Sequence, residues 1–144
     1  MMSDPIAAEP QPRTVPITAS AATAPALVQA VLDRVIAALP PTPHNGASAT
    51  LIGFRSVAPD LDSLLATTVE GAFGEAEAQG AAVVSAEVSG VMPVDEGLRC
   101  WGFVSAVPAS GAPPMPQVIG SPAVTRQPGR LRATLIVTTG GEAA

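Results

Sequence analysis

This 144-residue chain has no lysine, no tyrosine, a single histidine (His44) and a single cysteine (Cys100). Each absence removes chemistry. Without lysine there is no Schiff base and no G-x-x-x-x-G-K-[ST] phosphate loop, and the G-x-G-x-x-G and G-x-S-x-G patterns are missing as well. One histidine and one cysteine leave little for a nitrogen–sulfur metal site. One cysteine makes no internal disulfide, so nothing points to an oxidising compartment. Charge is scarce: charged residues are 13% of the chain, about half the roughly 25% of a typical soluble protein. Seven arginines face twelve carboxylates, for a net charge of −5. That excludes the concentrated basic surface with which proteins displace counterions from nucleic acid. No apolar run reaches the roughly 20 residues of a membrane-spanning helix. Met1-Met2-Ser3-Asp4-Pro5 lacks the basic start and apolar stretch of a signal peptide. The expectation is a soluble, cytoplasmic protein without a membrane span.

What is present is apolar and small. Residues of hydrophobic type make up 47% of the chain, mostly Ala and Val, with three Phe and one Trp. A domain of this length buries a real core, and a low-charge chain places its remaining apolar surface in that core or against a partner. Large exposed apolar patches mark interfaces, so the composition favours a partner.

Residues 1–12 hold three prolines and two carboxylates without hydrophobic period, and read as a Pro-rich N-terminal arm. A single domain is expected over 13–140. Arg13 to Ala21 alternates as a strand, and Pro16, which has no N–H, places it at a sheet edge or bulge. Thr23 caps a first helix, Pro25 fits its first turn, and Leu27, Val28, Val31, Leu32, Val35, Ile36 and Leu39 recur with a period of 3.6. Pro40-Pro41-Thr42-Pro43 ends that helix. Ala49 to Val57 reads as a strand with Leu51, Gly53, Arg55 and Val57 on one face. Asp60 caps a second helix, whose stripe runs from Leu61 to Ala76 and which Gly80 ends. Gly71 and Gly74 inside it suggest close contact with a sheet or with something outside the chain. Beyond Gly80 the period becomes 2, giving strands at 81–91, 98–107, 122–127 and 131–138, with turns at Asp95-Glu96-Gly97 and Pro128-Gly129. Pro108 to Pro116 is a loop holding four prolines. The fold expected is α+β: a two-layer sandwich of a mostly antiparallel sheet with two helices on one face, in the order β-α-β-α-β-β-β-β.

Candidate chemistry is thin. His44 sits in a Pro-rich helix exit with no second ligand nearby in sequence. Cys100 falls mid-strand and reads as a small packed hydrophobe. Glu70, Glu75 and Glu77 diverge around the second helix and read as solvated. Arg126, Arg130 and Arg132 surround a turn and read as solvating its tip. Trp101 and Phe103 share a strand face with Arg99 and Ser105; outward they would anchor an interface, inward they would be core.

Three stretches carry a family resemblance. Ile17 to Leu39 (ITASAATAPALVQAVLDRVIAAL), Phe54 to Phe73 (FRSVAPDLDSLLATTVEGAF) and Pro116 to Val137 with its GRLRATLIV ending together resemble archease over residues 13–139. Archeases are small α+β proteins that assist the RNA ligase joining tRNA exons. That family carries an acidic HTAD-(I/V)-G motif before its first strand and an Asp near the end of its last, which together bind a divalent metal. Here the first place reads Gln11-Pro12-Arg13-Thr14-Val15-Pro16 and the second Val137-Thr138-Thr139. Thr14 and Thr138 stand where the carboxylates belong, and Ile119-Gly120-Ser121-Pro122 replaces the family's TYHG segment without its histidine. A hydroxyl does not replace a carboxylate for a hard cation. The resemblance therefore implies an archease-like fold that has lost its metal site, and no residue inherits a catalytic or metal role.

The function expected is that of a non-catalytic protein-interaction or accessory subunit of a larger assembly, with no cofactor and no direct nucleic-acid binding. Interface candidates are Trp101 and Phe103 on their strand, and Pro113, Pro114 and Met115 in a loop that its prolines make cheaper to order. Two alternatives stand beside it: an accessory factor of the tRNA-splicing ligase with a relocated metal site, and a module binding a small apolar ligand between helices and sheet.

Overall fold

The computed structural model describes residues 13–39, 48–109 and 115–139. His44, the arm 1–12, Pro113 and Pro114 lie outside the described residues. The elements follow in the expected order: β1 (Arg13–Ala21), α1 (Ala24–Ala38), β2 (Thr50–Ala58), α2 (Leu61–Ala78), β3 (Ala81–Val94), β4 (Gly97–Pro108), β5 (Gln117–Gln127) and β6 (Arg130–Thr139).

Local chemistry accounts for the helix starts. The Thr23 hydroxyl accepts the Ala26 N–H at 3.3 Å with Pro25 in the first turn, and the Asp60 carboxylate accepts the Ser63 N–H at 2.8 Å. Each satisfies a donor that the helix itself leaves without a partner. The apolar stripes go where their period sends them. Leu27, Val28, Val31, Leu32 and Val35 of α1, and Leu64, Leu65, Val69 and Phe73 of α2, are buried, each worth roughly 1.5–3 kcal/mol relative to exposure.

The strands form two three-stranded antiparallel sheets, ordered β1-β6-β5 and β2-β4-β3, where the sequence suggested one. Each sheet is built the same way. A strand leads into a helix (β1 into α1, β2 into α2), and the second strand of a later hairpin (β6, β4) pairs beside it. The second unit is nested inside the first, since β2, α2, β3 and β4 all lie between α1 and β5. Each helix packs on its own leading strand and on an edge strand of the other sheet: α1 on β1 and β3, α2 on β2 and β5. The inner faces of both sheets therefore meet the same two helices in one apolar core.

Three local expectations change. β5 begins at Gln117, five residues earlier than its alternation indicated, because a break in register between Ile119 and Ala123, with Gly120 at φ 71°, interrupts the pattern. Gly71 and Gly74 make no close contact: a Cβ at either would meet nothing within 4 Å. The tight approaches are at Gly102, where a Cβ would fall 2.2 Å from the Glu87 carbonyl oxygen, and at Gly97 (φ 136°), where one would fall 2.2 Å from the Ala58 carbonyl oxygen and 2.6 Å from Pro59 Cα. Only glycine lets the β3–β4 hairpin seat against the β2–α2 turn.

Candidate interaction face

β4 is the central strand of its sheet, and its alternation decides which side chains are available. Cys100, Val104 and Ala106 turn into the core. Arg99, Trp101, Phe103 and Ser105 turn outward, away from both helices. Register places Gly53 and Glu87 beside Phe103, Arg55 and Gly90 beside Trp101, and Val57 and Met92 beside Arg99. The sequence left the direction of Trp101 and Phe103 open; it is outward.

Two glycines lie on this face. A Cβ at Gly90 would sit 2.8 Å from the far edge of the Trp101 ring, and one at Gly53 would lie 4.0 Å from the Phe103 ring. Glycine costs stability inside a strand, yet Gly90 lets the Trp101 ring lie across β3, while the Phe103 ring lies toward β2 at a distance that a Cβ at Gly53 would also tolerate. The result is a low aromatic platform with apolar side chains around it. Leu51 is 71% exposed, Phe103 46%, Met92 42% and Val57 41%. An open groove of about 620 Å³ crosses the platform, lined by Arg55, Met92, Arg99, Trp101 and Phe103 and reaching Glu75 of α2. Among the described residues the buried Arg99 Nε has no hydrogen-bond partner, a state that costs free energy. The outer face of the other sheet is mixed: Thr14, Thr18, Ser20, Thr134 and Thr125 line it with hydroxyls, and the cross-strand pair Ile119 and Ile136 is exposed among them.

The remaining candidates resolve separately. Cys100 is fully buried, and burial pushes its thiol up to about 11, opposed in part by a hydrogen bond with Thr68. It stays a neutral thiol at physiological pH, beside the buried Ser56–Thr68 hydroxyl pair at 2.6 Å. Met115 is half-buried against the core and does not join the platform. Arg126, Arg130 and Arg132 are exposed. Arg126 and Arg130 line an opening of about 660 Å³ beside Thr23 and Asp60, the caps of the two helices. The Asp60 carboxylate already occupies that end of α2, held below its ordinary pKa by the Ser63 N–H. Among the described residues no group of three or more His, Cys, Asp or Glu is placed to hold a metal ion, and no helix is long and apolar enough to cross a membrane.

Sequence reasoning missed what three polar side chains hold, Glu70 among them, which it read as solvated. Gln29 of α1 accepts the Val88 N–H at 2.7 Å and donates to the Ala86 carbonyl at 2.9 Å. Glu70 of α2 accepts the Val118 N–H at 3.1 Å, and Asp62 the Val124 N–H at 3.4 Å. Each helix thus uses side chains to occupy backbone groups of the edge strand it packs on, β3 for α1 and β5 for α2. Their partners are 48 to 62 residues away in the chain, so no local pattern announces them.

No protein-family model matches this chain, and no curated protein matches it. Its function rests on the geometry.

Proposed function

We propose that this chain is a non-catalytic interaction subunit that holds a protein partner on the outer face of the β2–β4–β3 sheet. The observation carrying this reading is the concentration of Leu51, Val57, Met92 and Phe103 on one open face, around Trp101 and two arginines. Buried aromatic and arginine anchors dominate binding energy at protein interfaces, and exposed apolar clusters of this kind mark them. The chemistry elsewhere supports the same reading: the one described thiol is buried and neutral, and two of the α2 carboxylates, Asp62 and Glu70, bond the edge of β5.

The test is isolation from the native host under mild conditions, with the unaltered chain and with Phe103→Asp as bait. A partner recovered with the first and lost with the second, at equal thermal stability, supports the proposal. Equal recovery with both removes this face from it.

A second reading has one observation in its favour. The positions that the archease resemblance equates with metal-binding carboxylates, Thr14 and Thr138, are cross-strand partners on β1 and β6, the adjacency a shared cation requires. Hydroxyls there lack the charge that a hard divalent cation needs, so a ligase accessory role would require carboxylates from elsewhere. Calorimetric titration with magnesium and manganese separates the readings. Stoichiometric binding favours the accessory factor, and its absence leaves the interaction subunit.

A further inference from the structure

The outer face of the β1–β6–β5 sheet has its own order. Register lines up Pro16, Ile136 and Ile119 as one apolar row across all three strands, with the two isoleucines 43% and 47% exposed. Two rows further along stands Arg132, between Ser20 and Thr125, and beyond it Arg130. The three strands contain no carboxylate, so the sheet itself offers these arginines no counter-ion. Residues 1–12 lead into this sheet at Arg13, the first residue of β1, and hold Asp4 and Glu9 with no basic side chain. We propose that this arm doubles back over the sheet it leads into, with Ile6 on the apolar row and Asp4 beside Arg132.

Chain geometry sets that register. Extended chain stacked on a sheet face lies about 10 Å above it, and each extended residue spans about 3.3 Å. Pro10, Gln11 and Pro12 therefore cover the climb from Arg13. The arm then runs antiparallel to β1, which brings Glu9 level with Thr14, Ile6 with Ile17 and Asp4 with Ala19. Ile6 falls one position from the Pro16 row and Asp4 one position from the Ser20–Arg132 row. Residues two apart in extended chain share a side, so Ile6 and Asp4 face the sheet together while Glu9 faces away. A chain on a sheet face makes no ladder, and the three prolines of the arm leave fewer N–H donors there without partners. The outer face of the β2–β4–β3 sheet matches the arm less well, because Glu87 stands beside Phe103 there. The placement does not depend on the partner proposed for that face, which it leaves open.

The experiment places a nitroxide on the full chain at Ser3→Cys, where the buried Cys100 does not compete for the label, and follows the backbone amide signals by nuclear magnetic resonance. The expected result is that Arg132 and Thr134 lose most of their intensity beside the oxidised label and regain it when the label is reduced. Arg132→Glu sets like charges together, and Ile136→Asp removes the apolar seat. Each, checked by thermal melt, should restore the signals. Asp4→Arg added to Arg132→Glu reverses both charges and should bring the loss back. Should either face variant fail to fold, Asp4→Arg alone must restore the signals. Loss confined to the start of β1, loss centred on Trp101 and Phe103, or loss that persists in every single variant overturns the proposal. Loss in isotope-labelled chains mixed with chains carrying the nitroxide also overturns it, since the arm would then reach a second molecule.

Discussion

Gln29 shows how much one residue settles here. Its amide occupies both an N–H and a C=O of β3 from a helix 57 to 59 residues away, because an amide offers a donor and an acceptor on separate atoms. Gln29→Leu should cost about 1–3 kcal/mol, the penalty of leaving partly buried backbone groups without partners, read as a lower urea midpoint with an unchanged m-value. Gln29→Glu keeps the acceptor but sets a carboxylate against the Ala86 carbonyl, and should not rescue it. Asp60 gives a pH signature. The Ser63 N–H holds its folded pKa below the ordinary 3.8, so its cap contributes fully above that value, and the contribution disappears as pH falls through the lowered folded pKa. Asp60→Asn keeps a capping oxygen that does not titrate. Its melting temperature should therefore fall less than that of the unaltered chain between about pH 4 and about pH 2. An equal fall in both would place the acid sensitivity in other carboxylates.

Among the elements, α2 and the edge strands behave least as their patterns suggest. Gly71 is exposed, in helical conformation and clear of all neighbours, so it carries the entropic cost of glycine without a packing reason. Gly71→Ala should stabilise the chain by up to about 1 kcal/mol, seen as a raised melting temperature. A loss of stability would mean that the helix surface there is covered. As edge strands, β3 and β5 turn backbone groups away from their sheets, and such groups left unpaired are the ordinary route to aggregation. Gln29 on one side, and Asp62 and Glu70 on the other, occupy those groups. This gives Asp62 and Glu70 of α2 a structural use that their places on the helical wheel conceal.

At the scale of the molecule, the nested units share one core. α1 and α2 each bridge an edge strand of one sheet to an edge strand of the other, so neither sheet keeps its inner face covered when the other unfolds. Unfolding should therefore be a single transition. In urea, the fluorescence of Trp101 on the β2–β4–β3 sheet and the far-ultraviolet circular dichroism of the whole chain should give coincident curves. Separate midpoints would mean that the β1–β6–β5 sheet holds without its counterpart. The low charge of the chain also finds a place at this scale: apolar surface that the core does not take lies on the outer faces of both sheets, with Leu51, Val57, Met92 and Phe103 on one and Ile119 and Ile136 on the other.

The sequence by itself determined the order of the elements, both helix caps, both hairpin turns and the burial of Cys100, and narrowed the Pro16 strand to an edge or a bulge, of which it is an edge. These follow from interactions within a few residues of chain, or from a period that one element displays. It also placed Trp101 and Phe103 on a common face. Tertiary structure alone decided that the face points outward, that Gly53 and Gly90 lie beside those rings, and that Gln29, Asp62 and Glu70 reach strand edges. It likewise decided that six strands divide into two sheets rather than one. The physical reason is the same in each case: strand register and the choice of partner strand are fixed by contacts between residues far apart in the chain, and local alternation is compatible with either face and with more than one pairing.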